Sequence, residues 1–208
     1  RIASRVGAEQ ARVAAMLLLT LRGTPTVYYG DEIGMHDVDI PHDRVQDPFE
    51  KNGPGRGLGR DPERTPMQWS AGRHGGFSTA EPWLPLPEDY EKVNVEAQRD
   101  DPESMLSFFH RLVELRRGAP ALEVGGFAPV AAHGDVLAYI RHYREDRFLI
   151  LLNLGGQPHE IDRGGEARPG RVAVATHRGR EGEEVGRRVH LDAHDGLVIR
   201  LAASKTHE

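Results

Sequence analysis

The hydrophobic period changes once along this chain, near residues 118–125, and that change limits the folds open to it. Ahead of it the pattern is helical. From Ser4 to about Leu21, Val6, Val13, Met16, Leu17 and Leu21 recur at three- and four-residue spacing. Ser4 stands where a helix cap would, and "RGTP" supplies the stop, with Arg22 in the last turn, Gly23 past the end and Pro25 beyond. The next residues, "TVYYG", are β-branched and aromatic and read as a short buried strand. Helix, tight turn and apolar strand make half of a βαβ unit in a parallel sheet. A second helix runs from Ser104 to Arg117, with Asp101 as cap, Pro102 at the first helical position, and Gly118 and Pro120 to stop it. After Pro120 come "GFAPVAA", "VLAYIRHYR", "RFLILLNLG", "RVAVATH", "RRVHLDA" and "GLVIRLA", short β-rich runs separated by turn residues. Their regular spacing predicts a small antiparallel β-sandwich. The expected organisation is α/β plus all-β, with domains at residues 1–120 and 121–208.

Between the two helices, residues 34–100 carry little periodicity. That is too long for an ordinary connection and points to a functional excursion. Within it, "RTPMQWS" stands out. Gly- and Pro-rich connections are usually polar, yet this one holds Arg60, Arg64, Met67 and Trp69. Either the loop packs on something apolar, or it faces a ligand suited to flat aromatic and forked cationic groups. Asp31 and Glu32 follow the strand directly, where parallel α/β folds build their ligand face. Capping the next segment, or pairing with an arginine, is equally open to them.

Composition removes several functions. The net charge of −5 over 208 residues argues against a nucleic-acid surface. The arginines of 163–188 are interleaved with glutamates and read as solvated strands and turns. Without cysteine there is no disulfide framework and no thiolate metal site. The longest apolar run, "VAAMLLLTL", is half what a bilayer needs, so no membrane partner is expected and the cytoplasm is the default location. Asp37, Asp39, Asp43 and Asp47 resemble a calcium cluster only loosely and lack an EF-hand continuation. The glycines of 53–59 neither follow a strand nor open a helix, so no dinucleotide is implied. His190 and His194 fall in a strand pattern and read as surface residues. No metal and no cofactor is predicted.

Read in order, "TPTVYYGDEIGM", "DVDIP", "DPFEKNGPGRGLGRDPERTPMQW", "GGFSTAEPWLPL" and "SMLSFFHRLVELRR" resemble the C-terminal end of an α-glucosidase of the α-amylase superfamily, the oligo-1,6-glucosidase-like branch. The resemblance covers about residues 1–120 almost continuously. It implies that the helix at 8–21 is the seventh of a TIM (β/α)8 barrel, that "TVYYG" is its eighth strand, and that 34–100 is the loop before the last helix. The family's aspartate nucleophile, glutamate acid/base and transition-state-stabilising aspartate sit on earlier barrel strands and match no residue here. Retaining glycosidases hold two carboxyl groups about 5–5.5 Å apart across the scissile bond, and adjacent Asp31 and Glu32 cannot serve. The chain alone is therefore expected to be inactive, with the missing N-terminal part as its partner. An Asn-His-Asp motif is expected shortly before Arg1.

The resemblance places a remnant of the sugar site here. Arg64 matches the arginine that grips hydroxyls of the non-reducing glucose, a task that suits a rigid fork of donors. Glu32 and Arg60 match residues at the pocket entrance, where they would pair and shape the next subsite; for Arg60 a plain surface role is equally open, because "DPER" departs from the family's usual "DNSR". Met67, Gln68 and Trp69 are expected to anchor the loop. The implied substrate is an α-glucoside of the maltose, isomaltose or sucrose type. Trehalose synthases share "YYGDEIGM" and "RTPMQWS" and give a rival reading, as isomerases. Non-catalytic transporter heavy chains with glucosidase-like ectodomains give another, against which stands the retention of Arg64 and Glu32.

Overall fold

The structure, a computed structural model, describes residues 1–131, 133–164 and 168–203. Five helices come first: α1 (Ile2–Thr20), α2 (Pro48–Asn52), α3 (Val95–Arg99), α4 (Met105–Arg117) and α5 (Pro120–Glu123). Eight strands follow: β1 (Gly126–Val130), β2 (Val136–Tyr143), β3 (Asp146–Asn153), β4 (His159–Asp162), β5 (Gly170–Ala175), β6 (Glu184–Val185), β7 (Arg188–Leu191) and β8 (Gly196–Leu201). Contacts divide the chain into two compact units. One comprises Arg1–Ala8 and Val27–Ser107, the other Glu9–Thr26 and the chain from Phe108. Both α1 and α4 contribute to each unit, so the compact units cut across the change of period near 118–125.

In the first unit nearly all structure is irregular. Gly7, with φ 81°, breaks α1 into a first turn and a helix proper from residue 8. Ser4 caps nothing; its Oγ accepts the Asp37 N–H instead, at 2.6 Å. "TVYYG" is not a strand, because a strand needs a ladder partner and the unit has no other strand among its described residues. A short 3-10 turn at Asp31–Ile33 leads into the excursion, and another at Asp61–Glu63 lies within it. A small core of Ile33, Met35, Met67 and Leu106 draws these segments together. The cap of α4 also differs from expectation. Ser104 takes that role, its Oγ accepting the Ser107 N–H at 3.1 Å, while the Asp101 carboxylate accepts the Glu103 N–H in the turn before it.

The second unit is the antiparallel β domain. Its large sheet runs β1-β2-β3-β8-β5-β6, and β4 pairs with β7 in a second sheet. Between the sheets lies a core that includes Ala138, Ile140, Leu149, Leu151, Ile161, Val189, Leu191 and Ile199. Central β3, "DRFLILLN", is buried on both faces, as its unbroken apolar run requires. Its other face, with that of β8, meets α1. A Cβ on Gly196 would lie 2.9 Å from Met16 Sδ, so a side chain there would force Met16 to shift at this approach of helix and sheet. The expected sandwich is present, with two strands that the sequence pattern did not show, β4 and β6.

Candidate functional site

The excursion of the first unit is organised by two buried carboxylates. Asp61 accepts the backbone N–H groups of Gln46 at 2.6 Å and Asp47 at 2.8 Å. Asp47 in turn caps α2 by accepting the Phe49 N–H at 2.8 Å, and accepts the Arg60 N–H at 3.3 Å. Both side chains are almost wholly removed from solvent, with relative exposures of 2% for Asp47 and 4% for Asp61. A buried carboxylate is tolerated only when its oxygens are satisfied, and here they clamp residues 46–49 to residues 60–61.

Asp47 also faces two cations. Arg64 Nη1 lies 3.5 Å and Arg60 Nε 3.8 Å from Asp47 Oδ2. The Phe49 N–H holds the Asp47 carboxyl below the usual aspartate range, and the Arg60 N–H and both guanidiniums add to that effect. Asp47 was not among the expected site residues. Its signal in the sequence is an aspartate directly before a proline, a usual way to open a helix.

From Asp47 the Arg64 side chain, 41% exposed, reaches a cleft of about 310 Å³ that it lines with Tyr29, Glu32, Met67, Trp69 and Phe77. Three anchors fix the "RTPMQW" segment behind it. Thr65 O accepts the Tyr29 hydroxyl at 3.0 Å. Gln68 O accepts the Val95 N–H and Trp69 O the Glu96 N–H, each at 3.0 Å. Met67 and Gln68 are buried, as anchoring demands, but Trp69 is 50% exposed and faces the cleft, contrary to its expected packing role. The donors from Val95 and Glu96 stand at the start of α3, whose cap is Asn94.

Glu32 reaches the same cleft from the turn Asp31–Ile33. Its Oε2 accepts the Gly30 N–H at 2.8 Å. Gly30 has φ 91°, and a Cβ there would come within 2.6 Å of Met35 Sδ, so glycine is required to deliver Glu32. Behind it, burial pushes the Tyr29 phenol up while the Arg1 guanidinium, 4.7 Å from the ring centre, opposes that shift. Arg64 and Glu32 thus share a cleft. Arg60 does not pair with Glu32 as expected: it turns to Asp47, since its own backbone N–H is already fixed on that carboxylate.

What this arrangement can do is bind. A forked cation, a carboxylate and two half-exposed aromatic rings converge on one polar-apolar cleft, in which Glu32 is the one carboxyl group among the described lining residues. No group of three or more histidine, aspartate or glutamate side chains disposed to hold a metal occurs among the described residues.

A cleft on the long loop before a last helix, followed by an antiparallel domain, is the C-terminal part of a TIM-barrel enzyme with its β domain. A solved α-glucosyl transfer enzyme has this fold at a TM-score of 0.84, with 29% identity over 96% of this chain and 38% of its own. The model of the α-amylase catalytic domain matches residues 1–125, and the chain belongs to the α-amylase family. Among its relatives, a maltase A2 of Drosophila melanogaster is 33% identical over 98% of this chain and 35% of its own length. A trehalose synthase/amylase of Mycobacterium tuberculosis is 40% identical over 74% of this chain and 25% of its own. The chain spans about a third of the length of the curated relatives it matches.

Proposed function

We propose that this chain is the C-terminal portion of a retaining α-glucosidase, an enzyme that removes terminal α-linked glucose from short oligosaccharides or disaccharides. The observation that carries the reading is Arg64, set on a buried carboxylate and opening with Glu32 and Trp69 onto one cleft. The family membership and the maltase and α-glucosidase relatives support it. In this reading Arg64 donates to hydroxyls of the non-reducing glucose, Glu32 shapes the cleft mouth, and Arg60 acts on the cleft only through Asp47. The nucleophile and acid/base carboxyls belong to the rest of the enzyme, and the chain alone is inactive. Large apolar side chains left exposed on the first unit, Trp83 at 78% and Phe49 at 64%, support a larger protein around it.

A second reading, isomerisation of maltose to trehalose, draws on the 40% identity to the trehalose synthase/amylase. One assay separates the two. The full-length protein is given maltose, isomaltose and sucrose, and the products are resolved. Free glucose as the main product supports the glucosidase; trehalose as the main product from maltose replaces it with the isomerase. Absence of turnover on all three, with folded protein, overturns both.

A further inference from the structure

We propose that Asp47 is the positioning residue of the cleft: its carboxylate sets the direction in which Arg64 presents its guanidinium. For its catalytic consequence the proposal rests on the sugar-binding reading of Arg64; for the positioning itself it does not. Three observations carry it. The first is immobility. Asp47 is held from both sides, its own N–H on Asp61, its Oδ1 on the Phe49 N–H and its Oδ2 on the Arg60 N–H. The second is convergence. Oδ2, the oxygen that takes the Arg60 N–H, is also the one that faces Arg64 Nη1 at 3.5 Å, so a fixed backbone donor and the more exposed guanidinium converge on one oxygen. The third is asymmetry. Asp47 is buried whereas Arg64 is 41% exposed, so one end of the pair is rigid and the other is free to address a ligand.

A long arginine on a loop samples many rotamers, and a carboxylate in a fixed place removes most of them before a ligand arrives. Asp47 therefore acts on the ligand only through Arg64. Arg60, the second cation on Oδ2, is the counterweight. Its own backbone is pinned to Asp47, and its Nε lies 3.8 Å from the same oxygen that Arg64 faces, so the two cations share the carboxylate's charge.

The test uses Asp47→Asn in the full-length enzyme. Asparagine still accepts the Phe49 N–H as a helix cap but lacks the charge and the second oxygen that takes the Arg60 N–H, so a melting curve accompanies each readout. Asp47→Ser, another good cap, serves if the first variant folds poorly. The first readout is the rate at which phenylglyoxal modifies Arg64, mapped by peptide mass spectrometry, with exposed Arg73 as internal reference. A severalfold rise in the Arg64-to-Arg73 ratio is expected; an unchanged ratio overturns the proposal. The second readout is kcat/KM on maltose, which should fall about ten- to a hundredfold, the upper figure being what a misplacement of about 1 Å can cost, with no further loss when Asp47→Asn is added to Arg64→Ala. An equal proportional loss on the Arg64→Ala background also overturns the proposal, because it assigns Asp47 a separate role. If Arg64 modification rises but Arg64→Ala itself leaves kcat/KM intact, the positioning holds and the sugar-binding reading falls.

Discussion

The Tyr139 hydroxyl and Thr20 Oγ1 lie 2.6 Å apart in the interior of the β domain, joining the end of α1 to the middle of β2. Tyr139 is wholly buried, and burial pushes its phenol up to about 12, against the opposing pull of the Thr20 hydrogen bond and the nearby Arg141. One hydroxyl pair thereby fixes where the helix rests on the sheet.

That pair has a titration signature. A phenol whose pKa is raised in the fold contributes stability that is complete below its unfolded value of 10.0 and is lost as pH rises towards 12. Two pH units correspond to about 2–3 kcal/mol. In an absorbance titration of the folded chain, one of the five tyrosines should ionise only near pH 12, and Tyr139→Phe should remove that step. Ionisation of all five near pH 10 without unfolding would contradict the assignment.

The same helix end is held by Arg116. Its guanidinium donates to Leu19 O at 2.7 Å, Leu21 O at 3.1 Å and Gly23 O at 2.6 Å. Leu19 O is one of the carbonyls that a helix leaves without partners at its C-terminus, and Leu21 O and Gly23 O belong to the turn that follows α1. Arg116→Ala strands them in a buried site. The expected cost is about 3–4 kcal/mol, a fall in melting temperature of roughly 10 °C. Arg116→Lys should recover less than half, since an ammonium cannot span three acceptors in a plane. A melting curve of Arg116→Ala within 2–3 °C of the parent (roughly 1 kcal/mol) would refute this role.

On the two-stranded sheet, His190 of β7 stands opposite Glu160 of β4, with Nδ1 2.8 Å from Glu160 Oε1 and Nε2 3.2 Å from Asp192 Oδ1. The Glu160 hydrogen bond, then that of Asp192, raises the imidazole above its ordinary 6.5. The pair thus supports the sheet fully below pH 6.5 and loses its effect as pH rises through the folded value. The His190 ring proton signal in an NMR titration should move at a midpoint above 6.5, and Glu160→Gln should bring it down. A midpoint at or below 6.5 in the parent chain would exclude the pairing in solution.

Much of the fold was legible before the structure. The two long helices, α1 and α4, read from three- and four-residue spacing, and six of the eight described strands from β-branched runs, because those patterns record which face meets a core. The failures have physical causes. "HEID" of β4 is half charged and sits in the two-stranded sheet, where only Ile161 needs burial. "TVYYG" has strand composition but no ladder partner. Arg163 fell in a stretch read as solvated, and Arg116 and Arg141 gave no signal, yet all three are buried on backbone carbonyls, and a sequence does not say which carbonyls a fold leaves open. The cleft was half legible. Arg64 and Glu32 came from the family resemblance, whereas Asp47 depends on distances between loops 13–17 positions apart, which no local pattern encodes.

Arg64 decides the functional reading, and its removal separates binding from folding. The side chain is 41% exposed and its single ion pair, with Asp47, is solvent-accessible at one end, so truncation should change stability by no more than about 1 kcal/mol. A guanidinium donating to sugar hydroxyls is worth about 1.5–3 kcal/mol, while Asp47 keeps the Phe49 and Arg60 N–H groups and the Arg60 guanidinium as partners. With a factor of ten for roughly every 1.4 kcal/mol, kcat/KM of the full-length enzyme on maltose should fall about ten- to a hundred-fold in Arg64→Ala. Arg64→Lys should restore part of it, because an ammonium keeps the charge but not the fork. A Glu32→Gln variant, altered only at the cleft mouth, should shift KM between maltose and longer substrates more than it lowers kcat. If Arg64→Ala keeps near-normal kcat/KM, or loses activity only in proportion to lost folded protein, Arg64 is a loop anchor and the cleft is not the sugar site.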